Sequence, residues 1–368
     1  MSRTVPRRFK ARTAITATAM VAALAATTAL TAPFVSAAEN DSEAAEACAL
    51  KILPIPEGLV STKVTGMSRD GSVIAYHAQS LNPNDPEHYP RLYADGKVTE
   101  VPMPGEWPEI TDVNSNGVGA GYTLVDDLPL PYVWRDGKLT RLLGGRGYAY
   151  GVNEKGDIVG EVWDADTGGR KPTVWRSGTT NPVTLPLPKT ANGGSASAIA
   201  DDGRIVGEIT LNAVPGVPKP YIWNPDGTGK LLPMPEGVEP ADARGHTMEI
   251  NGDWVSGVLE APGIEAPGIR WNLAKGTAEM TKLGRDLETV AVGPDGTVVG
   301  LLYNTPTAAY QKGDTVVELP GVLDPAENIN YDNAEAISAD GSIISGTAYA
   351  GPGDNGYNTW NAVTWTCK

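Results

Sequence analysis

The feature that most constrains this chain is a turn-and-strand phrase that returns seven times. Its clearest copy is Val152-Asn153-Glu154-Lys155-Gly156-Asp157-Ile158-Val159-Gly160. The turn glycines of the copies stand at 71, 117, 156, 203, 252, 296 and 341, so the spacing runs from 39 to 49 residues. Periods of this size belong to propeller blades or to a solenoid. An Asn or Asp followed by Gly accepts the positive φ that tight hairpins demand, and the β-branched apolar runs on either side read as strands.

A second landmark follows each phrase, an aromatic at Tyr93, Trp134, Trp175, Trp223, Trp271, Tyr310 and Trp365. Polar turn residues come next, and then a short strand that ends in Val101-Pro102, Leu185-Pro186, Leu232-Pro233 or Leu319-Pro320. Each unit therefore holds about four strands, the content of one propeller blade. The pattern predicts an all-β fold, a seven-bladed β-propeller over residues 48–368.

The two ends of the chain decide between ring and solenoid. The last unit reaches Trp365-Thr366-Cys367-Lys368 without a fourth strand, while Cys48 to Gly58 resembles the fourth strand of the fourth unit, Lys230 to Gly237. The N-terminal strand is expected to complete the last blade. The only two cysteines, Cys48 and Cys367, fall where the missing hairpin turn would lie. A disulfide there would clasp the ring, and loop entropy assigns such a long closure about 5 kcal/mol, less any strain. An open solenoid gives the ends no reason to meet.

Ahead of the repeats, Arg3, Arg7, Arg8, Lys10 and Arg12 precede an apolar Ala/Thr/Val/Leu run and the small residues Ser36-Ala37-Ala38. This predicts a secretory signal peptide over 1–38, followed by a disordered acidic spacer over 39–47. Removing 1–38 takes away five basic residues and no acidic one, which leaves 24 against 44 and a formal charge of −20. Such a chain is not expected to bind nucleic acid or an anionic membrane, because phosphate neutralisation needs clustered Lys and Arg. The expected product is secreted, monomeric and without cofactor, and its cysteine usage suits an oxidising compartment.

The phrase Gly151-Val152-Asn153-x-x-Gly156-x-Ile158-Val159-Gly160, with Val174-Trp175 downstream, resembles the repeat of the extracellular HAF repeat family. Pro131-Tyr132 and Pro220-Tyr221 replace that family's Ala-Phe pair. The resemblance implies an exported, β-propeller-like repeat protein and carries no catalytic residues with it.

Motifs of the common catalytic classes are missing from the sequence. There is no Gly-x-Ser-x-Gly elbow, no phosphate-binding Gly-rich loop with a following Lys, no Cys-x-x-Cys and no His-x-x-x-His. Asp164-Ala165-Asp166-Thr167-Gly168 resembles the start of a calcium loop, but Trp175 stands where the bidentate Glu belongs, so no metal site is expected. Asp112, Glu249 and Glu335 are read as one repeat position on the innermost strands. With His246 they are the catalytic candidates if the protein is an enzyme, a glycoside hydrolase or lyase working at the channel mouth. His77 and His88 are the other histidines. Aromatics outside the repeat positions are candidates for stacking on a sugar or a partner: Trp107, Trp163, Trp360, Tyr148, Tyr331 and Tyr357, with Tyr89 beside them. The loops between second and third strands vary in length and share one face, where a rigid scaffold carries its site. The expected function is non-catalytic recognition of a glycan or an extracellular protein through that face. A carboxylate-dependent hydrolase or lyase and a structural cell-envelope protein are the alternatives.

Overall fold

The computed structural model describes residues 48–80, 88–213, 216–264, 268–284, 290–302, 305, 307–324, 331–354 and 356–367. The expected signal peptide (1–38) and spacer (39–47) lie outside them. Among the described residues are seven antiparallel sheets of four strands each, and no helix. Blade 3 shows the plan: Gly147–Val152 is innermost, followed outward by Ile158–Trp163, Arg170–Trp175 and Pro182–Thr184. The other innermost strands are Ser61–Met67, Glu106–Val113, Ala191–Ile199, Arg244–Asn251, Ala291–Val292 and Asn333–Ile337. Each packs against its neighbour's innermost strand, and the seventh returns to the first. The chain is a closed seven-bladed β-propeller.

Closure follows the sequence expectation. Ala49–Ile52 adds to the outer edge of the last blade, in register with Trp365, Thr364 and Val363 through Leu50, Lys51 and Ile52. Cys48 and Cys367 are disulfide-bonded with their Cα atoms 4.2 Å apart, across 319 residues of sequence. The covalent link replaces the hairpin turn that joins the two outer strands in the other six blades.

The two sequence landmarks turn out to be halves of one staple between blades. The indole N–H groups of Trp175, Trp223, Trp271 and Trp365 donate to the backbone carbonyls of Leu143, Pro186, Pro233 and Pro320, each in the preceding blade, at 2.7 to 2.9 Å. The four indoles are fully buried. Burying an aromatic of this size contributes a few kcal/mol only if its N–H finds a partner. The leucines of the Leu-Pro pairs, Leu185, Leu232 and Leu319, are buried beneath. The glycine that closes the phrase makes room for the indole. A Cβ on Gly257 or Gly346 would stand 3.0 or 2.8 Å from the rings of Trp271 or Trp365, and about 2.1 Å from a backbone carbonyl of the innermost strand. Blade 1 solves the problem differently. It has Tyr93 in place of the Trp and Tyr76 in place of the glycine, and the Tyr76 hydroxyl donates to the Pro54 carbonyl at 3.0 Å. Pro54 follows the N-terminal strand as Pro186 follows its own, so the staple also runs across the seam of the ring.

The turns refine one expectation. In the repeated phrase only the glycine adopts positive φ, as at Gly71 (72°), Gly156 (79°) and Gly341 (74°). Two-residue turns with both residues left-handed occur instead in the outer hairpins at Asp95-Gly96 and Asp136-Gly137, and in Asp126-Asp127. That last pair is the whole connection between the second and third strands of blade 2, because the strands run on to Val125 and from Leu128.

Candidate functional site

Six of the seven innermost strands carry a register shift at one place, between Val64/Gly66, Ile110/Asp112, Ala149/Gly151, Ala196/Ala198, Thr247/Glu249 and Ala334/Ala336. A bulge puts one extra residue on the strand and re-aims the side chains around it. It divides the central passage into tiers. Thr65, Thr111, Tyr150, Ser197, Met248 and Glu335 are the bulged residues. Gly66, Asp112, Gly151, Ala198, Glu249 and Ala336 lie below them. The two tiers line a cavity of about 130 Å³. Above the bulge come Lys63, Glu109, Tyr148, Ser195, His246 and Asn333. Their partners on the second strands are His77, Tyr122, Glu161, Glu208, Val258 and Thr347. Glu335 therefore does not share the position of Asp112 and Glu249, as the sequence reading had it; the bulge sets it one tier higher.

In the lower tier the carboxylates are tied to the scaffold. Asp112 accepts the backbone N–H groups of Val113 and of Val152 in the next blade, both at 2.8 Å. Glu249 accepts the N–H of Val292 in its next blade at 3.0 Å. Arg69, in the lower turn of blade 1, crosses the passage to blades 4 and 5. Its guanidinium donates to Asn251 Oδ1 and the Ile250 carbonyl at 3.0 Å and lies 3.5 Å from Asp201. Burial pushes the Asp112 carboxyl up to about 7, and it raises Glu249 as well, against the pull of Arg69. Asp112 and Glu249 join neighbouring blades and Arg69 bolts the far sides of the ring together.

A cleft of about 340 Å³ opens in the upper tiers where blades 7, 1 and 2 meet, lined by Lys63, His77, Glu109, Tyr331, Glu335 and Trp360 among others. Trp360 is held by its backbone. Its N–H donates to the Ser61 hydroxyl at 3.0 Å, and its carbonyl accepts from the same hydroxyl at 3.3 Å. The Lys63 ammonium lies 4.4 Å above its ring, a cation–π contact. Glu335 accepts from the Thr347 hydroxyl, and Glu109 from the Tyr122 hydroxyl at 3.2 Å. Burial raises the Glu109 carboxyl, so it holds its proton more firmly than a surface Glu.

His77 differs from these groups, as does Asn333, whose side-chain oxygen is buried without a partner. His77 is 7% exposed, and neither ring nitrogen has a hydrogen-bond partner. Its ring stacks on His88, 4.0 Å away and 12° from parallel. His88 Nε2 meets Gln79 at 2.7 Å and the ring sits edge-on to Trp107 at 4.8 Å. Burial, together with the charges of His88 and Lys63, pushes His77 down to about 3, and burial with Lys63 pushes His88 down to about 4. Both imidazoles are neutral at physiological pH. Trp107, beside His88, holds φ at 51° and is 44% exposed. A bulky aromatic in that conformation is a genuine outlier, and such strain concentrates at functional sites.

Across the same tier, blades 3 to 5 carry a ladder of charges. Arg170 joins Glu161 at 3.4 Å to Glu208 at 3.2 Å, and the other oxygen of Glu208 meets His246 Nδ1. Trp163 donates its indole N–H to Glu161 at 2.9 Å, and the Arg146 guanidinium lies 5.0 Å over its ring. Tyr148 packs between Tyr122, Tyr150 and Trp163. The hydrogen bond to Glu208 raises His246 above its ordinary range.

The structure thus brings Trp360, Tyr331 and Glu335 into the cleft and leaves Trp107 outside its lining, against His88. It places Tyr148, Trp163 and His246 on or against the ladder, and leaves Tyr357 60% exposed in the loop ahead of Asn358–Thr366. Tyr89 lies in the strand His88–Ala94, with the Arg91 guanidinium 5.9 Å from its ring. Asp164 accepts from Asp166, Thr167 and Lys171, which fold the calcium-like loop onto itself. Lys63, Glu109, Glu161, Arg170 and Glu208 escaped the sequence reading. The signal for several was there: aligning the copies on the closing glycine shows that the next residue is Tyr122, Glu161, Glu208, Val258 or Thr347, a variable and mostly polar position inside a strand.

No protein-family model matches this sequence, and no curated protein does. Solved structures match the fold. An oligogalacturonate lyase from Vibrio parahaemolyticus is similar with a TM-score of 0.52 at 10% identity, over 87% of this chain and 97% of that one. The β-propeller domain of the Trilobed protease from Pyrococcus furiosus, which has an open velcro topology, gives 0.55 at 11% identity, over 83% and 95%. The RRP9 WD40 repeats give 0.50 at 14% identity, over 88% and 98%. At these identities the likeness establishes the β-propeller and nothing finer.

Proposed function

We propose that this chain is an exported, non-catalytic propeller of the kind the HAF repeat resemblance implies, and that it binds a glycan in the cleft between blades 7, 1 and 2. The observation that carries this reading is the pairing of aromatic faces, Trp360 and Tyr331, with fixed polar groups in a recess of about 340 Å³. Such a volume suits a small ligand or a short saccharide segment, and sugars are recognised by ring faces together with convergent hydrogen-bonding groups. Export is supported by the leader-like first residues and by the disulfide, which belongs to an oxidising compartment. An oligogalacturonate lyase among the similar propellers shows that this fold can carry saccharide chemistry; it lends no residues to this chain.

The test is a glycan array that includes cell-wall polysaccharides. Saturable binding to one class is expected, lost in Trp360→Ala and Tyr331→Ala and retained in Tyr357→Ala. A blank array, with a protein captured from culture supernatant instead, contradicts the proposal. One observation favours a second reading. Glu109 and Glu335 face the same cleft, and burial keeps the first protonated more readily than a surface Glu. That is the arrangement of a general acid beside a second carboxylate. Turnover of the bound glycan that disappears in Glu335→Gln while binding persists would favour the hydrolase or lyase.

A further inference from the structure

We infer that His77 is the residue by which the cleft selects its ligand, and that the group it takes is a hydroxyl of an uncharged sugar. This rests on the glycan reading of the cleft. His77 sits in the strand Val73–Gln79, paired with Lys63 of the innermost strand, and lines the recess. Neither of its nitrogens has a partner although the side chain is 7% exposed. A buried polar group left without a hydrogen bond costs about 1–3 kcal/mol, so an unexplained one points to something that arrives later. Of the other lining groups, the Asn333 side-chain oxygen is likewise without a partner and would accept from a hydroxyl, while the charged ones are engaged. Glu109 holds Tyr122, Glu335 holds Thr347, and Lys63 lies over Trp360. Stacking on His88 fixes the plane of the His77 ring.

The chemistry of the ring then limits the ligand. A neutral imidazole offers one N–H donor and one lone pair. Sugar hydroxyls answer both, one accepting from the N–H and a second donating to the lone pair, because the two nitrogens point apart. A carboxylate only accepts, so it would leave the lone pair unmet, and burying its charge in this recess is costly. A uronate is nevertheless the rival, because Lys63 is the cation of the lining and attracts an anion.

The experiment compares wild type, His77→Phe and His77→Gln. Phe keeps a flat ring against His88 and removes both polar atoms; Gln restores a donor and an acceptor. The probes are cellohexaose, mannohexaose, xylohexaose and a hexameric oligogalacturonate, with binding measured by calorimetry and the melting of the free proteins recorded alongside. Wild type is expected to prefer one of the neutral hexamers. His77→Phe should bind it roughly tenfold more weakly, the loss of about one hydrogen bond, while melting no lower than wild type. His77→Gln should recover part of the affinity. Equal binding by wild type and His77→Phe overturns the assignment and leaves the glycan reading standing. A His77→Phe protein that melts well below wild type makes the residue structural and also overturns it. Preference for oligogalacturonate overturns the choice of ligand. If no hexamer and no arrayed glycan binds wild type, the glycan reading falls, and this inference with it.

Discussion

The cleft at blades 7, 1 and 2 and the ladder across blades 3 to 5 occupy the same tier of one repeated scaffold, and they differ in how their polar groups are spent. In the ladder every charge meets another: Glu161, Arg170, Glu208 and His246 form an unbroken run. In the cleft neither nitrogen of His77 has a hydrogen-bond partner, Lys63 has a ring face in place of a carboxylate, and nearby Trp107, edge-on to His88, carries a strained backbone. Polar groups that satisfy one another stabilise the fold and exclude partners. Groups left unsatisfied cost stability and stay available to a ligand.

The sharpest way to strain this contrast is to open the ring beside the cleft. Cys48→Ser removes the clasp on blade 7, one wall of the cleft. The expected loss is up to about 5 kcal/mol by urea denaturation, and amide exchange should rise at Trp360 before it rises at Glu161. Equal loosening of both would mean that the cleft is no less self-supporting than the ladder. Next in size is Arg170→Met, which leaves Glu161 and Glu208 without their shared cation. The two carboxylates are buried but Arg170 is 43% exposed, so solvent screens the loss to about 1–2 kcal/mol. Glycan binding by this variant should be unchanged.

Titration gives a smaller effect with a definite sign. The folded pKa of His246 is raised by Glu208, so its contribution to stability is fully present below the unfolded value near 6.5 and is lost as pH rises through the folded value. His246→Gln should flatten that fall. Asp112 has the same sign for another reason. Its carboxyl is pushed by burial from 3.8 to about 7, so the native state holds the proton longer, and stability declines as pH rises across that window. Asp112→Asn should lessen the decline relative to wild type and His246→Gln, the remainder coming from Glu109, Glu161 and Glu249, which burial also raises, as followed by melting temperature from pH 4 to 8.

The ring was legible in the sequence because its parts are local and repeated. The phrase with its closing glycine, the aromatics at Trp175, Trp223, Trp271 and Trp365, and the Leu-Pro pairs recur in the same order, and the staple between blades uses all three. The N-terminal strand betrayed itself by copying Lys230 to Gly237. The site was only half legible. Trp360 and Tyr331 stood out as loop aromatics, but the strand residues around them did not, since Lys63 and Glu109 look like ordinary alternating polar positions. The tier of Glu335 was misread by one residue: it stands six positions before its turn glycine, Gly341, where Asp112 stands five before Gly117, and only the bulge shared by the strands makes that single step a change of tier. The partners of Asp112 and Glu249 are backbone N–H groups of the next blade, which no side-chain pattern reveals.

Tryptophan fluorescence during titration with a glycan taken from the array tests the central contrast most directly. The expected result is a saturable change that vanishes in Trp360→Phe and survives intact in Trp163→Phe. A change that persists in Trp360→Phe and vanishes in Trp163→Phe would place the ligand on the ladder and contradict the assignment of the cleft.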